Sequence, residues 1–499
     1  MERTIGHRAP VLWLLLPSMG GFALARALPA GWGGGWWLVM AVAGVVVAAG
    51  ALVGWGRNAV RPPVPDRPRE GGERRADLED RSETGPAPAP AELRIGGWTK
   101  QVLWGVGMVV AVLGAAAAYF QFREARLAVW ERLPAREAEL VLELERVFPA
   151  SVGRPTTTGL ARIVAAPPLL GETVGQRVYF SIQAPAGTVL LASARVRALG
   201  VLNPLARRPA IGFDSYLAGA GAAFKFNRAR WLAEARGPST YRRLCARAAQ
   251  RFERILGAGL DDHPALRSIH LAMMLGSKAE LSGEQRELFM HSGTMHLFAI
   301  SGLHIAVIWG ALAALLAVAR VPRLASIVTG LLALLLYVEI TGGAPSARRA
   351  WWMIAFVLAA EAARWTRNPL AGIAASAVVV LWWEPWQLFG ASFQLSYGVV
   401  ASLLLYGLVL DERAQARWRP WVALPGPDWR WWHHAVRWAG RETVSGFALA
   451  VAATLVSLPM TVALFGLFTP GSLLVNLVCV PISAMAIVAG LGSLLAGLV

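Results

Sequence analysis

Two adjacent arginines, Arg348 and Arg349, follow Thr341-Gly342-Gly343-Ala344-Pro345-Ser346 and lead into an apolar stretch. Pro345 suits a first helical position, so both cations fall in the first turn of a helix. The partial positive charge at a helix N-terminus makes each unfavourable by about a few tenths of a kcal/mol, and something must compensate. Either the side chains snorkel to an interface, or they meet an anion: free helix N–H groups and guanidinium forks together suit a phosphodiester. A second polar group interrupts an apolar run between His296 and His304. Eight residues separate the two histidines, about 80° around a helix, with Ser301 and Gly302 between them able to break it. Broken helices at membrane depth survive only against protein or a water-filled cavity. The alternatives here are a packed polar pair and a pore or hinge lining.

Two further places put polar side chains into apolar sequence. Gln394 and Ser396 stand near the start of one stretch, and Asn476 near the start of the last, ahead of Pro481. Intramembrane polar residues are functional candidates, although Ser and Asn also serve as glue between helices. No residue is assigned a catalytic role, and no metal or cofactor is expected. No carboxylate or thiolate stands at ligand spacing from the histidines, and Glu339 is the one acid that could orient His304.

These residues sit in a chain of 499 residues that is 56% hydrophobic, 16% charged and +17 in formal charge, with a mean hydropathy of +0.47. Soluble proteins carry about a quarter charged residues. Residues 35–55 hold no charge, and roughly 20 such residues span a bilayer as a helix. The fold class is therefore a polytopic α-helical membrane protein. Spans are expected at 11–28, 35–55, 101–120, 297–319, 324–341, 349–363, 369–386, 393–410, 443–467 and 471–498. Cys245 and Cys479 form no CxxC pair, and no cleavable signal is read at the N-terminus.

The expected domains are an N-terminal transmembrane hairpin (1–55), a disordered charged and Pro-rich linker (56–98), a transmembrane helix (99–120), a β-domain (121–236), amphipathic helices (237–293) and a transmembrane bundle (294–499). Residues 56–98 mix Arg with Asp and Glu and end in alternating Ala-Pro, a composition that cannot bury a core. Within 121–236 the pattern shifts to short alternating strands, Glu139–Val147, Gly159–Ala165, Gln176–Gln183 and Leu190–Leu199, separated by Pro and Gly. Such spacing suggests a small inserted barrel. Five-stranded barrels of the OB type often bind oligonucleotides, while a β-module without ligand fits the periodicity equally. Its arginines include Arg154, Arg162, Arg177, Arg195, Arg197, Arg207 and Arg208. Arg162, Arg177, Arg195 and Arg197 are the candidate contacts to such an oligonucleotide, with solvated surface as the other reading.

The excess of Lys and Arg on inner loops sets orientation. Arg3 and Arg8 put the N-terminus inside, three crossings carry the β-domain outside, and Arg320, Arg323, Arg364, Arg367 and the arginines of 411–442 all fall inside. Arg348 and Arg349 alone break the rule. With them, Ser301, His304, Gln394 and Asn476 fall toward the outer side, on the side of the β-domain.

The residues now quoted resemble the ComEC competence-protein family, the DNA-internalisation channel of naturally transformable bacteria. HLFAISGLHIAVI at 296–308 looks like its signature. GGAPSARRA at 342–350, FGASFQLSY at 389–397 and LPMTVALFGLFTPGSLLVNLVCVPI at 458–482 follow in the family's order. Asn203-Pro204 and Gly212–Leu217 resemble the exit from its N-terminal β-domain. The resemblance covers about 139–499. It implies an OB-like domain outside and a membrane domain conducting single-stranded DNA inward. The family's metallo-β-lactamase-like nuclease has no counterpart in the motifs here, so either the sequence stops short of it or a separate nuclease supplies it, and a conduit, not an enzyme, is expected of these residues. Departures are Ala391-Ser392 before the aromatic, Glu384-Pro385 where Asp-Pro is usual, and the linker.

The expected function is a channel for single-stranded DNA across the cytoplasmic membrane during natural transformation. Its expected partners are DNA, membrane lipids and a separate ATP-driven motor, DNA receptor and nuclease, because the chain has no phosphate-binding P-loop. The alternatives are a transporter for a smaller anionic solute, and a membrane-embedded enzyme or structural subunit. The polar constellation His296, Ser301, Gly302, His304, Arg348, Arg349, Gln394, Ser396 and Asn476 is the candidate pore lining.

Overall fold

A computed structural model describes residues 11–28, 34–59, 92–125, 134–148, 156–185, 188–206, 212–277, 280–365, 368–418, 420–421 and 429–498. They form two compact units, one of residues 12–126 and one built mainly from 127–499.

The first unit holds α1 (Leu12–Ala27), α2 (Gly34–Ala59) and α3 (Glu92–Ala125). Small residues let α2 and α3 meet backbone to backbone. A Cβ added at Gly44 would lie 2.4 Å from the Ala111 amide nitrogen, and one at Gly107 would lie 2.7 Å from that of Ala48. Without a hydrophobic drive between helices in lipid, such close approach is what holds spans together. The expected linker 56–98 is corrected at both ends, because α2 runs to Ala59 and α3 starts at Glu92. Once a helix is nucleated, each further residue adds a hydrogen bond, and the turns continue past the apolar window. Residues 60–91 lie outside the described residues. Likewise α3 continues to Ala125, into the stretch read as β-domain.

The second unit opens with a closed five-stranded barrel: β1 (Arg136–Val147), β2 (Thr156–Ala165), β3 (Arg177–Gln183), β4 (Arg195–Pro204) and β5 (Phe224–Arg236), in the order β1-β2-β3-β5-β4. All neighbours are antiparallel except β3 and β5. Alternation builds the core. Leu140, Leu142 and Leu144 of β1 point inward with Val178, Phe180 and Ile182 of β3 and Val196 and Ala198 of β4, all buried, as the two-residue period of a strand requires. Closure also removes exposed sheet edges.

Two expectations for the strands are corrected. The fourth begins at Arg195, not Leu190, because the chain turns at Ser193, whose φ is +67° and whose N–H donates to the Leu144 carbonyl. The fifth was not read as a strand. Phe224 and Phe226 point inward, but the register slips near Arg228, whose φ is +51°, and its charged and Ala residues lower strand propensity. A short helix, α4 (Phe213–Gly219), crosses between β4 and β5.

The rest is helical: α5 (Thr240–Gly257), α6 (Pro264–Leu275), α7 (Gly283–His291), α8 (Gly302–Val318), α9 (Arg323–Ile340), α10 (Pro345–Ala362), α11 (Pro369–Trp383), α12 (Ala391–Ser402), which continues through a π turn into α13 (Leu408–Arg417), then α14 (Trp431–Phe465) and α15 (Ser472–Leu498). Among the described residues, five helices are long and apolar enough to cross a membrane: Val102–Glu124, Arg323–Ile340, Ala391–Arg417, Trp431–Leu464 and Ser472–Gly497. Shorter apolar helices lie at Leu12–Ala27, Gly35–Ala51, Gly302–Val318 and Pro369–Trp383. This is a multi-pass membrane protein. The span expected from 443 starts at Trp431, because His433 caps the helix by accepting the Arg430 N–H at 2.9 Å. The span expected from 297 starts only at Gly302. Met295–Phe298 is a separate tight turn, so the helical angle assumed between His296 and His304 does not apply.

Candidate nucleic-acid interface

Two ion pairs fix the ends of α9 and α10 against each other. At one end Arg323 holds Glu361 at 2.5 Å. At the other, Glu339 takes Arg348 at 2.8 Å and Arg242 of α5 at 2.7 Å. The barrel docks at this second end. Arg177 of β3 donates to Glu384, at the end of α11, at 2.8 Å, and to Glu145 of β1 at 2.6 Å. A Cβ on Gly219 of α4 would come within 3.5 Å of the Gly390 Cα. Burial works against the Arg177 charge, yet Glu384 and Glu145 hold its pKa above the ordinary guanidinium value.

Arg349 is 4% exposed. Its Nη2 donates to both the carbonyl and the Oγ of Ser392 at 2.7 Å, and its Nε has no hydrogen-bond partner. A buried guanidinium held by neutral oxygens, with a donor to spare, is short of negative charge. Arg348 is instead half-exposed and matched by Glu339. That carboxylate compensates the helix-end repulsion, and it does not orient His304 as the sequence allowed. His304 is fully buried. Its Nδ1 lies 2.9 Å from Ser301 Oγ and faces the Ser301 N–H, a capping-box arrangement at the start of α8, and its Nε2 is unpartnered. His296 is exposed, with Nδ1 2.9 Å from the Gly293 carbonyl.

Some of the sequence-expected residues lie on segments that hydrogen bonds tie together. Ser346 of α10 donates to the Ile300 carbonyl at 2.8 Å, tying Arg349's helix to the break before Ser301. Arg349 reaches Ser392 of α12, and Gln394 in the next positions donates to the Leu388 carbonyl at 2.9 Å. Ser396 is four residues beyond Ser392, hence on the same helical face. Gly302 is exposed, and a Cβ there would meet only Ala350 at an ordinary 3.9 Å. Asn476 of α15 stays apart. Its Oδ1 is buried and unpartnered, and no hydrogen bond links it to the others.

The four barrel arginines differ from what their count suggests. Arg162 pairs with Glu145 at 2.9 Å, Arg195 with Glu143 at 2.9 Å and Arg197 with Glu139 at 3.4 Å, and Arg177 is held as above. Arg154, Arg207 and Arg208 lie outside the described residues. Sequence reasoning overlooked this pairing although its signal was present. Glu139, Glu143 and Glu145 alternate along β1 and so share the outer face with arginines of β2 and β4 across the ladder. It also missed Ser392 and Glu384, two departures from the family pattern that turn out to hold Arg349 and Arg177. Among the described residues, no group of three or more His, Cys, Asp or Glu is placed to hold a metal ion.

Comparison with known proteins adds a family. Residues 273–499 match the family model described as "Competence protein". The ComE operon protein 3 of Bacillus subtilis is 33% identical over 141 residues, which cover 28% of this chain and 18% of that protein. The Recombination protein 2 of Haemophilus influenzae is 28% identical over 232 residues, 45% of this chain and 28% of that protein. The matched stretches thus span less than a third of either relative. No solved structure matches.

Proposed function

The C-terminal half of this chain is a domain of the competence-protein family, and from that premise we propose that the chain takes part in DNA uptake for transformation as the membrane conduit for single-stranded DNA. The observation that carries this reading is Arg349, a buried cation with an unmet donor, at the end of the bundle where the barrel docks. A phosphodiester passing Ser301, Arg349 and Ser392 would supply the missing negative charge. Arg320, Arg323 and Arg364 stand at the opposite end of the same helices. With Lys and Arg excess inside, that supports an outer location for the barrel in the cytoplasmic membrane. The motor, DNA receptor and nuclease are separate partners in this reading.

The test replaces Arg348 and Arg349 together with Gln and follows labelled DNA into cells. Uptake should be abolished while the protein remains in the membrane fraction at normal level. Normal uptake by the double variant would sink the phosphate-contact idea.

A further inference from the structure

Outside the contacts already described, the end of the barrel that faces the bundle carries a ring of aromatic side chains. Phe148 follows β1, Tyr179 lies on β3, and Phe213 and Tyr216 lie one turn apart on α4. Ring centroids are 6.4 Å apart for Phe148–Tyr179, 5.2 Å for Tyr179–Phe213, 6.0 Å for Phe213–Tyr216 and 6.4 Å for Tyr216–Phe148, closing a circuit of four. Leu160, Leu205, Leu217 and Ala222 back the inner pair. Two of the four rings remain open to solvent. Phe213 is 50% exposed and Tyr216 38%.

Arg146 sets the charge of this patch. Its guanidinium lies 5.2 Å from the Phe148 ring centre and donates to the Tyr216 hydroxyl at 3.4 Å. No carboxylate is in ion-pair range of it among the described residues, unlike the four arginines on the barrel wall. Burial lowers its pKa below the ordinary guanidinium value; Tyr216 offsets part of this, and the like charge of Arg348 lowers it further. Arg348 has Glu339 as its counter-ion, whereas Arg146, beside the exposed aromatic rings, has none in ion-pair range among the described residues. Single-stranded nucleic acid combines what the rings and Arg146 need, because bases stack on aromatic rings and phosphates neutralise arginine.

We infer that Phe148, Tyr179, Phe213 and Tyr216 with Arg146 form a platform that stacks the bases of the strand and aims its phosphates at Arg349. This rests on the reading of the chain as a strand conduit. It moves DNA recognition on the barrel from the neutralised arginines of the wall to an aromatic patch at the bundle's mouth. Every base has a π-face, so the platform is indifferent to sequence, as a conduit must be.

The experiment measures binding of a fluorescent thymidine oligonucleotide of about 16 nucleotides, the upper end of an OB-type site, to the full chain in lipid nanodiscs. An abasic strand of equal length and charge is the comparison. The unaltered protein should prefer the thymidine strand by about tenfold or more. The Phe213→Ala, Tyr216→Ala double variant should lose that preference, its thymidine affinity falling to that of the abasic strand. Phe213→Trp and Tyr216→Phe keep the rings and should keep the preference. A double variant that still prefers bases, or an unaltered protein that binds both strands equally, overturns the platform and leaves the conduit reading standing. An unaltered protein that binds neither strand overturns both.

Discussion

On the barrel wall Arg162, Arg177, Arg195 and Arg197 each face a glutamate, whereas at the bundle's mouth Arg349 is buried against a serine with a donor left over. The two regions contain the same residue in opposite states. Exposed ion pairs contribute about 0–1 kcal/mol and present little net charge to a ligand. A buried, under-matched cation sacrifices stability and is poised to bind an anion. A basic composition therefore says little about where a polyanion binds. The local balance of each arginine against its neighbours decides it.

Four variants test this contrast. The largest effect should come from Arg349→Gln alone. Hydrogen bonds to a charged group are worth about 1.5–3 kcal/mol, so DNA uptake should fall about 10- to 100-fold at unchanged membrane level, and an unchanged uptake rate would remove the contrast. Next is Glu339→Gln, which leaves Arg348 and Arg242 facing each other without their shared carboxylate. Removing one partner of a largely buried ion cluster should cost about 2–3 kcal/mol, read as a lowered thermal midpoint in detergent. Glu384→Gln should cost less, about 1 kcal/mol, because Arg177 keeps Glu145. Its signature is faster proteolysis between barrel and bundle, and equal cleavage rates would mean that the pair does not hold the docking. The smallest effect belongs to the wall. Arg195→Gln with Arg197→Gln should change oligonucleotide affinity by less than about twofold, while a tenfold loss would return DNA binding to the wall.

Much of the fold was legible because its physics is periodic. Continuous apolar runs marked the helices, and the inward Leu140, Leu142 and Leu144 marked a strand. The β5 strand was not legible, because its alternation breaks at the slip near Arg228. Nor was the late start of α8, which a tight turn at Met295–Phe298 sets. For the site, the sequence pointed to His304, Ser301 and Arg349 as exceptions in apolar sequence; Ser301 and His304 bond each other, and Arg349 bonds Ser392 from a helix that Ser346 ties to the Ile300 carbonyl. It could not tell Arg349 from Arg348, since that difference lies in which side chain finds Glu339 and which finds Ser392. Glutamates that neutralise the barrel arginines are brought close by strand register, which a count of charges does not contain.

The most direct test captures the strand in transit. A photo-crosslinking amino acid in place of Ser396, on the face shared with Ser392, should form adducts with radiolabelled DNA during uptake. The same group in place of Val328, exposed on α9, should not. Adducts at position 328 with none at 396 would contradict passage of the strand beside Arg349.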